Sequence, residues 1–67
     1  MSHDGNHLLT PREVAARLAL TVSALERMRR ERRGPAYVRV GRLVRYAPED
    51  LARYIAEQRV EPGGVAL

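Results

Sequence analysis

The chain places two helix starts so close together that the helices they open are separated by only three residues, Ala19-Leu20-Thr21. Thr10-Pro11-Arg12-Glu13 is the first start. Thr10 is the N-cap, Pro11 brings a preset φ to a position that needs no N–H, and Glu13 completes a capping box. Leu9 before the cap and Val14 at the fourth helical position form a hydrophobic staple. Val14, Ala15 and Leu18 make one apolar stripe, so a helix is predicted over 11–18. Thr21 is the next N-cap and Gly34-Pro35 is a stop signal, which predicts a second helix over 22–33. Two helices of these lengths across a three-residue turn form a helix-turn-helix unit.

Beyond Pro35 the residue types favour extended backbone. Tyr37 to Val40 and Leu43 to Tyr46 are β-branched and aromatic-rich and flank Gly41-Arg42, which predicts a hairpin over 37–46 with a two-residue primed turn. Pairing Tyr37 with Tyr46, Val38 with Arg45, Arg39 with Val44 and Val40 with Leu43 gives two mixed faces. The face with Tyr37, Val44 and Tyr46 is expected inward because it buries more area. Pro48-Glu49-Asp50 opens a third helix, predicted over 48–58, with Leu51, Tyr54, Ile55 and Gln58 on one side and three of them buried. The expected fold is mainly α with one β-hairpin: a helix-turn-helix, a hairpin wing and a third helix over residues 8–59. Residues 1–7 and 60–67 are expected to be loose tails.

Charge narrows the function. All 12 basic residues are arginine. Eight of them lie in residues 27–45 against one acid, Glu31, giving +7; residues 1–26 carry −1 and residues 46–67 carry −2, which together make the net +4. One basic block between mildly acidic flanks is the footprint of a polyanion-binding surface. Arginine forks match phosphate oxygens and guanine edges in a bidentate way that lysine does not, although GC-rich coding gives the same composition.

On the second helix, at 100° per residue, Leu25 and Met28 define an apolar back with Ala24 at its edge. Ser23, Arg27 and Arg30 cluster opposite, flanked by Glu26. A charged face is ordinary on an exposed helix. This one comes after a tight turn and precedes a basic hairpin, which favours a helix that reads DNA. Arg27 and Arg30 suit the two acceptors of guanine, and Ser23 suits a base edge or a phosphate. Glu26 suits cytosine, or holds Arg30 one turn on. The helix start at Thr21 and Val22 offers free N–H groups to a phosphate. Arg39 and Arg42 in the hairpin suit a phosphate backbone or a narrow minor groove. Arg12, Arg17, Arg53 and Arg59 each have an acid within three or four residues and read as surface pairs.

Other chemistries find little support. The chain is long enough for one small domain, burying about 60% of its unfolded surface, with no room for a deep cleft. It has no cysteine, so disulfides and thiolate metal sites are excluded. His3 and His7 sit in the N-terminal tail without further ligands and make a poor metal site, so neither metal nor cofactor is expected. Ser23 has no histidine partner on a fold element, and no glycine-rich phosphate loop or carboxylate pair in a cleft is visible, so an enzyme is not expected. No apolar run reaches membrane-spanning length and the N-terminus is polar, which predicts a soluble, cytoplasmic protein.

Three runs together resemble the small excisionase-type, MerR-like winged helix-turn-helix proteins: Leu8-Leu9-Thr10-Pro11-Arg12-Glu13-Val14-Ala15-Ala16-Arg17-Leu18, then Gly34-Pro35-Ala36-Tyr37-Val38-Arg39-Val40-Gly41-Arg42-Leu43-Val44-Arg45-Tyr46, then Pro48-Glu49-Asp50-Leu51. The resemblance spans about residues 8–58. It implies that the second helix enters the major groove of double-stranded DNA and the wing enters the adjacent minor groove. Contacts then fall at Ser23, Glu26, Arg27 and Arg30, and at Arg39 and Arg42. It also implies a phage or mobile-element protein, acting at the bacterial nucleoid, that binds direct repeats cooperatively, bends attachment-site DNA and steers a tyrosine integrase toward excision. Many relatives regulate transcription instead, and the resemblance does not choose between the two roles. The chain departs from the family pattern at Ala19, where glycine is frequent, at Leu20, where a β-branched residue is, and at Val22, which is apolar and suits a thymine methyl. A left-handed Ala19 would cost around 1 kcal/mol. Other classes stay open: an arginine block docking an acidic protein, and an RNA binder, which would need exposed aromatic platforms.

Overall fold

A computed structural model describes residues 7–62; the tails expected at 1–7 and 60–67 lie mostly outside them. Three helices, α1 (Pro11–Leu18), α2 (Val22–Arg30) and α3 (Pro48–Glu57), and two antiparallel strands, β1 (Val38–Val40) and β2 (Leu43–Arg45), run in the order α1-α2-β1-β2-α3. This is a winged helix-turn-helix fold. No described helix is long and apolar enough to cross a membrane.

The α1 start forms as its residues dictate. The Glu13 N–H donates to Thr10 Oγ1 at 3.1 Å, and the Thr10 N–H donates to Glu13 Oε1 at 2.8 Å. That backbone hydrogen bond is the main reason the Glu13 carboxyl titrates below its ordinary range. The helix ends in a Schellman motif: the Leu20 N–H donates to the Ala15 carbonyl at 2.8 Å and the Ala19 N–H to the Ala16 carbonyl at 3.1 Å. Ala19 adopts the left-handed conformation, at φ 58. A Cβ there costs about 1–2 kcal/mol, against roughly 0.4–1 kcal/mol of extra unfolded-chain freedom for glycine. Ala19→Gly is therefore expected to raise stability by about 0.5–1 kcal/mol, a Tm rise of roughly 2–8 °C on thermal denaturation. An unchanged or lower Tm would mean that the left-handed turn carries no net strain.

The second helix stops at Arg30, not at the predicted position 33. Its end is another Schellman motif, with the Arg33 N–H donating to the Met28 carbonyl at 2.8 Å and the Arg32 N–H to the Arg29 carbonyl at 3.0 Å. Arg32 supplies the left-handed residue, at φ 62, so the backbone turns before Gly34-Pro35 is reached. Gly34, at φ 86, continues the turn close to the Met28 side chain, where an added Cβ would lie 3.3 Å from Cε.

The hairpin keeps the expected register over Val38–Arg45, Arg39–Val44 and Val40–Leu43. The expected Tyr37–Tyr46 rung is absent from the ladder. Tyr46 instead bridges Leu9, their backbones exchanging hydrogen bonds of 2.7 and 2.9 Å. Gly41 takes φ 63 and Arg42 a negative φ, the pattern of a II′ turn. The inward face is as expected for Tyr46, which is buried, and Val44, which packs against the core. Tyr37 lies further out and is 40% exposed.

The core is Leu9, Val14, Ala15, Leu25, Tyr46 and Leu51, with Leu18 and Val44 against it. It receives α3 mainly through Leu51. The expectation that α3 buries three side chains is corrected: Tyr54 is half-buried, and Ile55 and Gln58 are exposed. Only the first turn of α3 reaches this small core, and the helix ends at Glu57 with Gln58 as its cap.

Candidate nucleic-acid interface

Leu25 anchors α2 from behind, with Ala24 and Met28 half-buried beside it. That anchoring turns Ser23, Arg27 and Arg30 outward, all exposed, with Glu26 half-buried at the edge of the face. At the helix start, the Ala24 N–H donates to Thr21 Oγ1 at 3.0 Å. The Val22 and Ser23 N–H groups have no hydrogen-bond partner among the described residues, and Val22 is 37% exposed. Arg27, Arg29 and Arg30 lie in the last turn, where cations suit the negative end of the helix dipole.

The acid that organises these arginines is Glu31, not Glu26. No ion pair joins Glu26 to Arg30 among the described residues. The Arg27 Nε donates to Glu31 Oε2 at 3.1 Å, while Arg33 donates through Nε and Nη2 to Glu31 Oε1 at 3.0 and 2.6 Å. Hydrogen bonds from Arg33 first and Arg27 second hold the Glu31 carboxyl below the ordinary glutamate range. The contact engages Arg27 through Nε and leaves its two terminal nitrogens, one of the bidentate donor pairs of a guanidinium, for guanine.

Arg39 lies on β1 and Arg42 at the wing tip, both exposed. Arg39 shares a groove with Arg29, Arg30, Arg32, Arg33, Gly34 and Tyr37, open to solvent between the end of α2 and the wing. The Arg29 guanidinium sits over the Tyr37 ring, 5.8 Å from its centroid, and the same ring lies 6.2 Å from Tyr46 in a tilted pair. Sequence reasoning misses Arg29, Arg32, Arg33 and Tyr37 as members of one surface. The +7 block contains the arginines, but the strand pattern assigns Tyr37 to the core and gives no sign that α2 stops early. The surface pairs expected for Arg53 and Arg59 form with Asp50 at 3.3 Å and Glu61 at 2.9 Å. Among the described residues no group of three histidine, cysteine or acidic side chains could hold a metal.

A family model described as a helix-turn-helix domain matches residues 8–59. No curated protein and no solved structure matches the chain.

Proposed function

Because the chain belongs to the helix-turn-helix domain family, matched over residues 8–59 and pointing to double-stranded DNA as its partner, we propose that it reads a specific duplex site with α2 in the major groove and the wing in the adjacent minor groove. Residues 8–59 are the DNA-binding unit in this reading. The observation that carries it is the exposed Ser23, Arg27 and Arg30 face, anchored from behind by Leu25 and continued by Arg39 and Arg42 on the wing. Arg27 and Arg30 read guanine, Ser23 and Glu26 contact neighbouring bases or a phosphate, and Val22 meets a thymine methyl. Thr21 and the first-turn N–H groups face a phosphate.

The resemblance of the Thr10-Pro11-Arg12-Glu13, Gly34-Pro35 and Pro48-Glu49-Asp50 runs to excisionase-type proteins extends the proposal. The protein binds repeated sites cooperatively, bends attachment-site DNA and turns a tyrosine integrase toward excision. The experiment is recovery of a preferred duplex from a random pool, and then recombination with the integrase encoded nearest to this gene. Excision that depends on the protein supports the extension. Specific binding that leaves recombination unchanged but alters transcription from an adjacent promoter makes the chain a regulator instead.

The wing has its own expected result. Arg42→Ala should weaken binding to all duplexes by a similar factor and reduce the slope of log K against log salt by about 1, the loss of one cation from a phosphate or the minor groove. Arg39→Ala should behave alike. Salt titrations on selected and random duplexes measure both, and unchanged affinity in both variants would return the hairpin to a purely structural role.

A further inference from the structure

We propose that the groove between the end of α2 and the wing seats the sugar-phosphate strand that separates the two DNA grooves, through Arg29, Arg32 and Arg39, with Tyr37 holding Arg29 in place. This rests on the proposed docking of α2 and the wing. In a duplex, a major groove and the minor groove next to it are separated by a single backbone ridge. A protein that puts one element in each groove must straddle that ridge with whatever lies between them.

Here the space between them is a concave surface lined by arginines. Its construction is local. The left-handed Arg32 ends α2 early, Gly34 at φ 86 turns the chain, and buried Pro35 leads it into the wing. Arg29 and Arg32 come to the groove from the end of α2, and Tyr37 and Arg39 from the start of the wing. Arg29 is half-buried and lies 5.8 Å from the Tyr37 ring centroid, so its cation is held at the groove. Arg33 is engaged by Glu31, and Arg30 belongs to the outward face assigned to bases, which leaves Arg29, Arg32 and Arg39 of the five lining arginines as the cations that face a strand. The groove is open to solvent rather than enclosed, a form that suits an extended phosphodiester chain better than a small anion held in a cavity.

The test uses the full chain and its selected duplex, with single neutral methylphosphonate linkages walked along the backbone. Arg32→Gly is the primary variant, because glycine keeps the left-handed cap while removing the side chain. Arg29→Ala and Tyr37→Leu accompany it. The arginine variants are expected to bind selected and random duplexes more weakly by the same factor, each with a salt slope lower by about 0.9. The Arg32→Gly loss should disappear on duplexes whose neutral linkage lies on the ridge between the helix and wing contacts, and persist on duplexes neutralised elsewhere. Tyr37→Leu should reproduce part of the Arg29→Ala loss in wild-type background and add nothing to Arg29→Ala. An Arg32→Gly loss that is the same wherever the neutral linkage lies overturns the proposal, as does equal displacement of the duplex by polyglutamate at matched charge. If the wild-type chain selects no duplex at all, the docking reading itself has failed, a result separable from failure of the groove.

Discussion

Leu25→Ala is expected to destabilise the domain by about 2–5 kcal/mol and leave it largely unfolded at room temperature. Leu25 is 1% exposed and is the buried side chain of α2 among the described residues, so it is the main anchor of the candidate reading helix in the core. Removing three carbons there loses transfer energy and opens a cavity in the cluster it shares with Val14 and Leu51, which the backbone cannot readily close. A core in a domain this small rarely supplies more than about 3–5 kcal/mol in total, so the loss is comparable to the whole margin. Circular dichroism should show most of the helical signal gone and no cooperative melt. A cooperative transition only a few degrees below the parent's would show that caps and turns, not Leu25, hold α2 in place.

Arg27→Ala is expected to cost about 1–3 kcal/mol on the selected duplex and much less on random DNA. Arg27 points away from Leu25 and Met28 on the outward face of α2, the side that a helix lying in the major groove turns toward the bases. Its Nε hydrogen bond to Glu31 orients the fork without engaging it end-on. Arg29→Ala is the control of equal charge: it should weaken both duplexes equally, since Arg29 projects toward the Leu25 side and over Tyr37. Arg27→Lys adds a second check, because it keeps the charge and loses the fork, and it should lose base preference while keeping most of the salt dependence. Equal thermal stability of all variants is confirmed first. If Arg27→Ala and Arg29→Ala reduce selected and random binding by one common factor, α2 is a charged face and not a reader.

The elements that local chemistry announces are legible in the residues. Thr10, Pro11 and Glu13 set the start of α1, Thr21 sets that of α2, and Gly41 sets the hairpin register. The end of α2 is not legible, because it is made by backbone hydrogen bonds around Arg32, a residue type with no preference for the left-handed region. The Leu9–Tyr46 bridge is invisible for another reason: it joins residues remote in sequence, and no local pattern marks such a pairing. Ile55 has the spacing of a core residue, yet the core ends one turn earlier. At the candidate site, the outward face of α2 comes from helical periodicity alone. Which acid pairs with which arginine does not, since Glu26 and Glu31 both lie one turn from a partner, and the groove requires knowing where α2 stops.

The Leu9–Tyr46 bridge also bears on the order in which the molecule assembles. The span from Leu9 to Tyr46 encloses α1, the turn, α2 and the whole wing. Closing a loop of that length carries an entropy cost of about 2–2.5 kcal/mol beyond that of the shortest loops. The helices and the hairpin contain only local contacts and form within microseconds. Joining the two remote segments is then the slow event, and it ties the end of the wing to the segment that leads into α1. Substitutions at Leu9 should therefore slow folding, whereas those in the outer turns of α3 should mainly speed unfolding.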